Sequence, residues 1–194
     1  GNAGNNMLAG GAGNDTLDGG TGVDTAAFTL ASSQYVVLSR SDGTLAVGRS
    51  GGGGDGVDVL TGVEQLQFSD GTMAAAPTNS IFRYIATYPD LLAAFGANES
   101  AALNHFMTFG YLEGRQANFD ALRYIASYPD LIGAFGADAA AGAEHYVRFG
   151  YGGGRQVSFD ALRYIASYGD LINAFGTDAA AGAEHYVRFG YGGG

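Results

Sequence analysis

Residues 1–27 read "GNAGNNMLA GGAGNDTLD GGTGVDTAA", three units of nine residues in strict register. Glycine fills the first and fourth places of each unit, Asn or Asp the sixth, and Leu or Ala the eighth. Glycine loses more conformational freedom on folding than any other residue, so propensity alone does not hold such a segment in a helix or strand. The segment therefore needs stabilisation from something other than its local preferences.

The pattern G-G-x-G-x-D-x-U-x resembles the calcium-binding repeats of RTX proteins, the hemolysin-type secreted family. The resemblance implies that each unit is a half-turn of a parallel β-roll with Ca²⁺ as its cofactor, since hard oxygen ligands suit this ion. The ligands it implies are the side chains of Asn6, Asp15 and Asp24 and the neighbouring backbone of Gly4, Gly13 and Gly22. The alternative is a plain glycine-rich cluster of turns, which the strict register disfavours.

In a β-roll, successive units lie on alternate sides, so we expect the first unit to stack on the third. Asn6 and Asp24 then face one row of ions and Asp15 faces the other. Asn6 departs from the aspartate pattern, which predicts a weaker site. Asp15 has no same-side successor among the three units, which places its expected partner upstream of Gly1.

Residues 28–76 are predicted to form a β-strand capping region. The segments "YVVLSR" and "TLAVGR" flank "SDG", a hairpin signal. The later segment "VEQLQFSDG" (63–71) resembles the cap that follows RTX repeats, which shields the last sheet edge. Asp55, Asp58 and Asp70 could add a calcium site, but we favour their interpretation as loop carboxylates.

Residues 77–194 hold three copies of a 40-residue unit, at 79–118, 119–158 and, incomplete, 159–194. The spacing of apolar residues in "FDALRYIASY" predicts a helix, Pro129 begins a second helix, and Asp138 caps a third. One such unit is too small to bury its own apolar face, so stacked copies are expected. The unit resembles a repeat of bacterial secreted and surface proteins, with Leu112-Glu113-Gly114-Arg115 as the family's ending.

The repeated polar residues of these copies are expected to have structural roles. A ladder of metal sites built on His105, His145 and His185 is disfavoured because zinc needs three or four ligands; a half-buried ring bonded to a neighbouring turn is favoured. Arg123 and Asp130 either form a pair or cap separate helix ends. The tyrosines are interpreted as core residues rather than as a carbohydrate platform, which stays the weaker alternative.

Composition excludes several classes of function. The net charge is −10 and all nine basic residues are arginine, which argues against nucleic acid and anionic membranes as partners. The chain has no cysteine and no apolar run long enough to span a membrane. It also has no His-Glu-x-x-His pair, and we expect this segment not to be an enzyme.

The sequence therefore predicts a mixed fold, a short parallel β-roll with an antiparallel β cap followed by an α-helical tandem-repeat array. By resemblance, the segment is secreted by a type I system, folds on calcium outside the cell and belongs to a surface protein of a Gram-negative bacterium, as part of a surface layer, filament or biofilm matrix. Its expected partners are calcium and either other copies of itself or another surface protein. The alternative function is the accessory C-terminal secretion and folding tail of a secreted protease or lipase whose catalytic domain lies upstream.

Overall fold

A computed structural model describes residues 1–75 and 80–192, which form two compact units, Gly1–Ala117 and Asn118–Gly194. The β-rich part comes first in the chain and the helical part follows, as predicted. The predicted domain junction at 76/77 and the start of the first copy at 79 lie outside the described residues.

The first unit contains two four-stranded sheets. In one, the strand order is β1-β3-β7-β8, and in the other it is β2-β6-β5-β4. The strands are β1 (Met7–Leu8), β2 (Thr16–Asp18), β3 (Thr25–Ala27), β4 (Tyr35–Ser39), β5 (Leu45–Arg49), β6 (Val57–Thr61), β7 (Gln65–Phe68) and β8 (Gly71–Ala74). Strands from alternate nonapeptide units thus enter opposite sheets.

The predicted stacking of the first unit on the third is confirmed. β1 pairs with β3 in parallel, with Met7 opposite Thr25 and Leu8 opposite Ala26. The predicted hairpin is also confirmed, because β4 and β5 pair antiparallel from Tyr35–Arg49 to Ser39–Leu45. The eighth-place residues of the units, Leu8, Leu17 and Ala26, all pack into one hydrophobic core with residues of the capping region.

The prediction of an antiparallel cap is only partly right. β6 continues the parallel ladder of β2 while pairing antiparallel with β5, and β7 continues that of β3 while pairing antiparallel with β8. The cap thus extends both parallel stacks before closing them, since its Leu60 and Leu66 lie opposite Leu17 and Ala26 and share their core.

The first helical copy belongs to the same compact unit as the strands. Its helices are α1 (Ile81–Thr87), α2 (Pro89–Phe95) and α3 (Glu99–His105), followed by a π-helical turn at Phe106–Gly110. The Glu99 carboxylate accepts hydrogen bonds from the backbone N–H and hydroxyl of Ser41 in the β4–β5 turn, at 2.8 and 2.6 Å. Gln116 donates to the Ser50 hydroxyl at 2.6 Å.

The second unit holds the two remaining copies, each with three short helices. They are α4 (Ala121–Ala126), α5 (Pro129–Phe135) and α6 (Ala139–His145), then α7 (Ala161–Ala166), α8 (Gly169–Phe175) and α9 (Ala179–His185). Asp120 and Asp138 cap α4 and α6 by accepting backbone N–H bonds, and Gly136 ends α5 with a φ of 53°. The predicted helix starts at Pro129 and after Asp138 are thus confirmed.

A tyrosine and a histidine link the first and third helices of each copy. The Tyr124 hydroxyl lies 2.9 Å from His145 Nδ1, and the same distance separates Tyr164 from His185. Burial raises the pKa of Tyr124 to about 12 and lowers that of His145, which favours a protonated hydroxyl donating to a neutral ring. The histidine partner is therefore a tyrosine side chain rather than the turn that was predicted.

The suggested pair between Arg123 and Asp130 does not form. Asp130 accepts bonds from Arg155, and the Arg123 guanidinium donates to the Phe159 carbonyl oxygen at 2.9 and 3.0 Å. Arg123 lies on α4 and Asp130 lies in the first turn of α5. Each side chain therefore has a nearer partner than the other. Both roles remain structural.

Candidate metal centre

One row of polar side chains follows the β1-β3-β7 sheet. The backbone N–H of Asn6 donates to Asp24 Oδ1 at 2.7 Å, and the N–H of Asp24 donates to Glu64 Oε2 at 2.8 Å. Each residue lies just before a strand of this sheet, so the parallel register places the three at the same level of the stack. The structure thus brings Asn6 and Asp24 together as predicted and adds Glu64.

A second row follows the β2-β6 pair. The N–H of Asp15 donates to Asp58 Oδ1 at 3.1 Å, and Thr16 lies opposite Val59 in the parallel ladder. The partner of Asp15 in this structure is thus downstream, where the prediction placed it upstream of Gly1. The prediction failed because the next unit on this side comes only after the β4–β5 hairpin.

Both rows contain buried carboxylate oxygens that lack a hydrogen-bond partner. Asp24 is fully buried, and its Oδ2 and that of Asp15 have no partner within the described residues. Burial, with the negative charges of Asp15 and Asp55, raises the pKa of Asp58 to about 6, although the bond from the Asp15 N–H acts in the opposite direction. Buried negative charge without a donor is costly, so these atoms fit a bound cation.

The chemistry of the donors fits calcium. Carboxylate and amide oxygens with backbone carbonyls are the ligands that Ca²⁺ takes, and no cysteine is present to favour softer metals. Across residues 1–75 and 80–192, no three His, Asp or Glu side chains converge as a metal-binding group. An ion between the turns would therefore draw several of its oxygen ligands from the backbone.

Glycine allows successive turns of the stack to lie in close contact. Gly19 is buried beside Asp24, and a Cβ built there would overlap the Gly62 carbonyl oxygen of the next turn. Gly22 has a φ of 135° and a Cβ there would lie 2.8 Å from the Gly4 carbonyl oxygen. The spacing between the turns is thus set by residues without side chains.

Gly19→Ala should destabilise the calcium-loaded first unit by about 1–3 kcal/mol, because the new methyl group meets backbone that cannot move aside. Gly4→Ala is the matched control, since its Cβ would meet only the Asn2 side chain, at 3.3 Å. Denaturant unfolding in millimolar calcium measures both variants. Equal stabilities of the two variants would contradict this account of the stack.

The other candidate carboxylates have separate partners. Asp55 Oδ2 accepts from the Tyr35 hydroxyl at 2.6 Å, and Asp70 accepts from the backbone N–H and hydroxyl of Ser32 at 2.8 and 2.9 Å. These two fit the favoured interpretation as loop carboxylates. Asp58 does not, because it is 4% exposed and lies in the second row.

The sequence contained signals for Glu64, which the prediction did not consider, and for Asp58, which the prediction interpreted as a loop carboxylate. Residues 53–61 read "GGDGVDVLT", a complete nonapeptide unit with Asp58 at its sixth place. Residues 61–68 read "TGVEQLQF" and match "TGVDTAAF" at 21–28, which puts Glu64 in the place of Asp24. The intervening hairpin hid this continuation of the repeat.

Comparison with protein families agrees with the geometry at the start of the chain. Residues 1–26 match the model of the RTX calcium-binding nonapeptide repeat (4 copies). Residues 1–26 are thus similar to the RTX repeats. This family binds Ca²⁺, so the cofactor is calcium. The RTX match also indicates a secreted, calcium-binding protein of the type I secretion kind.

The family match is confined to the first part of the chain. No curated protein and no solved structure matches the sequence. Within the described part of the chain, no helix has the length and apolar character needed to cross a membrane.

Proposed function

We propose that this chain is a non-enzymatic, calcium-dependent structural segment of a bacterial cell-surface or extracellular assembly. In this proposal the RTX part folds as a β-roll after export, and the helical copies serve for association with further copies or with another surface protein. The observation that carries the proposal is the pair of stacked rows, in which buried carboxylate oxygens of Asp15 and Asp24 have no hydrogen-bond partner in the part of the chain that the structure describes.

The chain's own residues would perform the folding step as follows. Asn6, Asp24 and Glu64 would hold calcium on one side, and Asp15 and Asp58 on the other, with backbone oxygens of the glycine turns completing each site. Bound calcium supplies the positive charge that compensates these carboxylates. Where calcium is scarce, the charges on adjacent turns oppose stacking, which keeps the segment extended for export.

The association part of the proposal rests on the third helical copy. Its apolar residues Leu162, Tyr168 and Ile172 are 48%, 52% and 48% exposed. In a repeat array, a face of this kind is normally covered by the next repeat. The accessory tail of a secreted hydrolase, the alternative function, does not require such a surface.

Sedimentation velocity of residues 1–194 in millimolar calcium and in chelator tests the proposal. We expect an extended, slow species in chelator and a faster species in calcium that grows into larger assemblies as protein concentration rises. A compact calcium-loaded monomer at every concentration would favour the accessory tail. An unchanged sedimentation coefficient would contradict calcium-driven folding.

A further inference from the structure

The second and third helical copies differ in exposure although their sequences are nearly identical. Ile132 of the second copy is 8% exposed, and its counterpart Ile172 is 48% exposed. Ala126 is 6% exposed, whereas Ala166 is exposed. The first two helices of each copy, α4 and α5 or α7 and α8, thus form the same surface, which is covered in the second copy and open in the third. We call it the repeat face.

Residues 155–159 and α9 cover the repeat face of the second copy. The Ser127 hydroxyl oxygen accepts from the backbone N–H groups of Ser158 and Phe159, both at 2.9 Å. The Arg123 guanidinium donates to the Phe159 carbonyl oxygen, and α4 packs against α9. The hydrogen bonds are made to backbone atoms of the covering segment, and they fix the position of this segment along the face.

The start of the covering segment makes further polar contacts. The Gln156 N–H donates to the Tyr128 hydroxyl at 2.7 Å, and that hydroxyl lies 3.0 Å from the Gln156 carbonyl oxygen. The Arg155 guanidinium lies 4.7 Å from the centre of the Tyr128 ring and 2.8 Å from Asp130. Arginine over an aromatic ring and beside a carboxylate combines two favourable interactions.

The third copy repeats the four residues of the repeat face that make these contacts. The counterparts of Arg123, Ser127, Tyr128 and Asp130 are Arg163, Ser167, Tyr168 and Asp170. Among the described residues, the guanidinium of Arg163, the phenol oxygen of Tyr168 and the carboxylate of Asp170 have no hydrogen-bond or ion-pair partner. The Ser167 hydroxyl only donates, to the Arg163 carbonyl oxygen, so its oxygen remains able to accept.

We propose that the repeat face of α7 and α8 binds a further copy of the 40-residue unit through a segment with the sequence Arg-Gln-Val-Ser-Phe and the helix that follows it as α9 does. This inference rests on the proposed structural function and names its partner. The interface between the second and third copies supplies the evidence, because the open face has the same residues as the covered one. A partner without an arginine at this place would lack the counterpart of the Arg155 contacts with Tyr128 and Asp130.

The test extends the full chain by one further copy of residues 155–194 after Gly194. Hydrogen exchange of the α7 and α8 amides is measured in millimolar calcium, with and without the added copy. We expect exchange to slow at least tenfold in the extended chain, because the face becomes buried as it is in the second copy. Circular dichroism reports whether the added copy is helical.

A matched pair of charge substitutions on α8 controls the experiment. In the extended chain, Ile172→Asp should abolish the slowing of hydrogen exchange in α7 and α8. The unextended chain should stay folded, since Ile172 is half exposed there. Asn173→Asp should preserve the slowing, because its counterpart Gly133 stays exposed in the covered copy. The two variants place the same charge on adjacent residues.

An added copy that does not fold, or one that folds without slowing exchange in α7 and α8, would overturn the inference. So would equal exchange in the Ile172→Asp and Asn173→Asp chains. A failure of the proposed calcium-dependent folding can be distinguished from a failure of docking. It would be measured as amide hydrogen exchange that does not change with calcium in peptides from residues 1–75. Docking on the repeat face is measured only in peptides covering residues 161–175.

Discussion

Asp24→Asn should remove much of the calcium-dependent stability of the first unit and leave the calcium-free protein at least as stable as the wild type. The substitution keeps the volume of the side chain and the oxygen that accepts from the Asn6 N–H. It removes the charge of a fully buried carboxylate whose second oxygen has no partner in the described structure. Without calcium that charge is a cost, and with calcium it is a ligand.

The free energy of unfolding in calcium should fall by about 2.7 kcal/mol for each ion whose binding is abolished, when calcium is at about 100 times its dissociation constant. Denaturant unfolding of wild type and variant, each in calcium and in chelator, gives the four free energies. Asp18→Asn is the matched control, since Asp18 is an exposed carboxylate of the same repeats that accepts from the Gly20 N–H. An Asp24→Asn protein that gains as much stability from calcium as the Asp18→Asn protein would exclude Asp24 as a ligand.

Tyr124→Ala should destabilise the second unit by about 3–5 kcal/mol, the range for truncating a large buried aromatic side chain. Tyr124 is completely buried, contacts the rings of Phe119 and Tyr146, and bonds to His145. A Cβ on Gly150 would overlap the Tyr124 hydroxyl, so this glycine, which ends a π-helical turn at Tyr146–Gly150, leaves room for the tyrosine. The alanine variant therefore creates a cavity between the helices of the copy.

The repeats supply the control for this prediction. Tyr164→Ala removes the same side chain from the third copy, where it is only half-buried, and should cost less. Tyr124→Phe removes only the hydroxyl and should cost about 0.5–1.5 kcal/mol, the usual net value of one hydrogen bond. Urea unfolding followed by helical circular dichroism measures all three variants. Equal losses for the two alanine variants would show that burial by the neighbouring copy adds no stability.

Local patterns in the sequence were sufficient to predict the elements of the fold. The nine-residue register predicted that the first unit stacks on the third, and the "SDG" turn predicted the hairpin of β4 and β5. Pro129 and Asp138 marked the starts of two helices. These features depend on contacts between near neighbours or on strict periodicity, and both can be read directly from the chain.

Only the tertiary structure decided how distant segments meet. Asp58 and Glu64 join the candidate calcium rows 43 and 40 residues after their partners Asp15 and Asp24, because the cap continues the parallel stacks. Arg123 bonds to Phe159 rather than to Asp130 because the next copy lies against its helix. The sequence by itself determined the repeating units and the residue types able to hold calcium. The pairing of the cap strands with the repeat units, and of one helical copy with the next, depended on long-range backbone register and on which faces became buried, which no local pattern specifies.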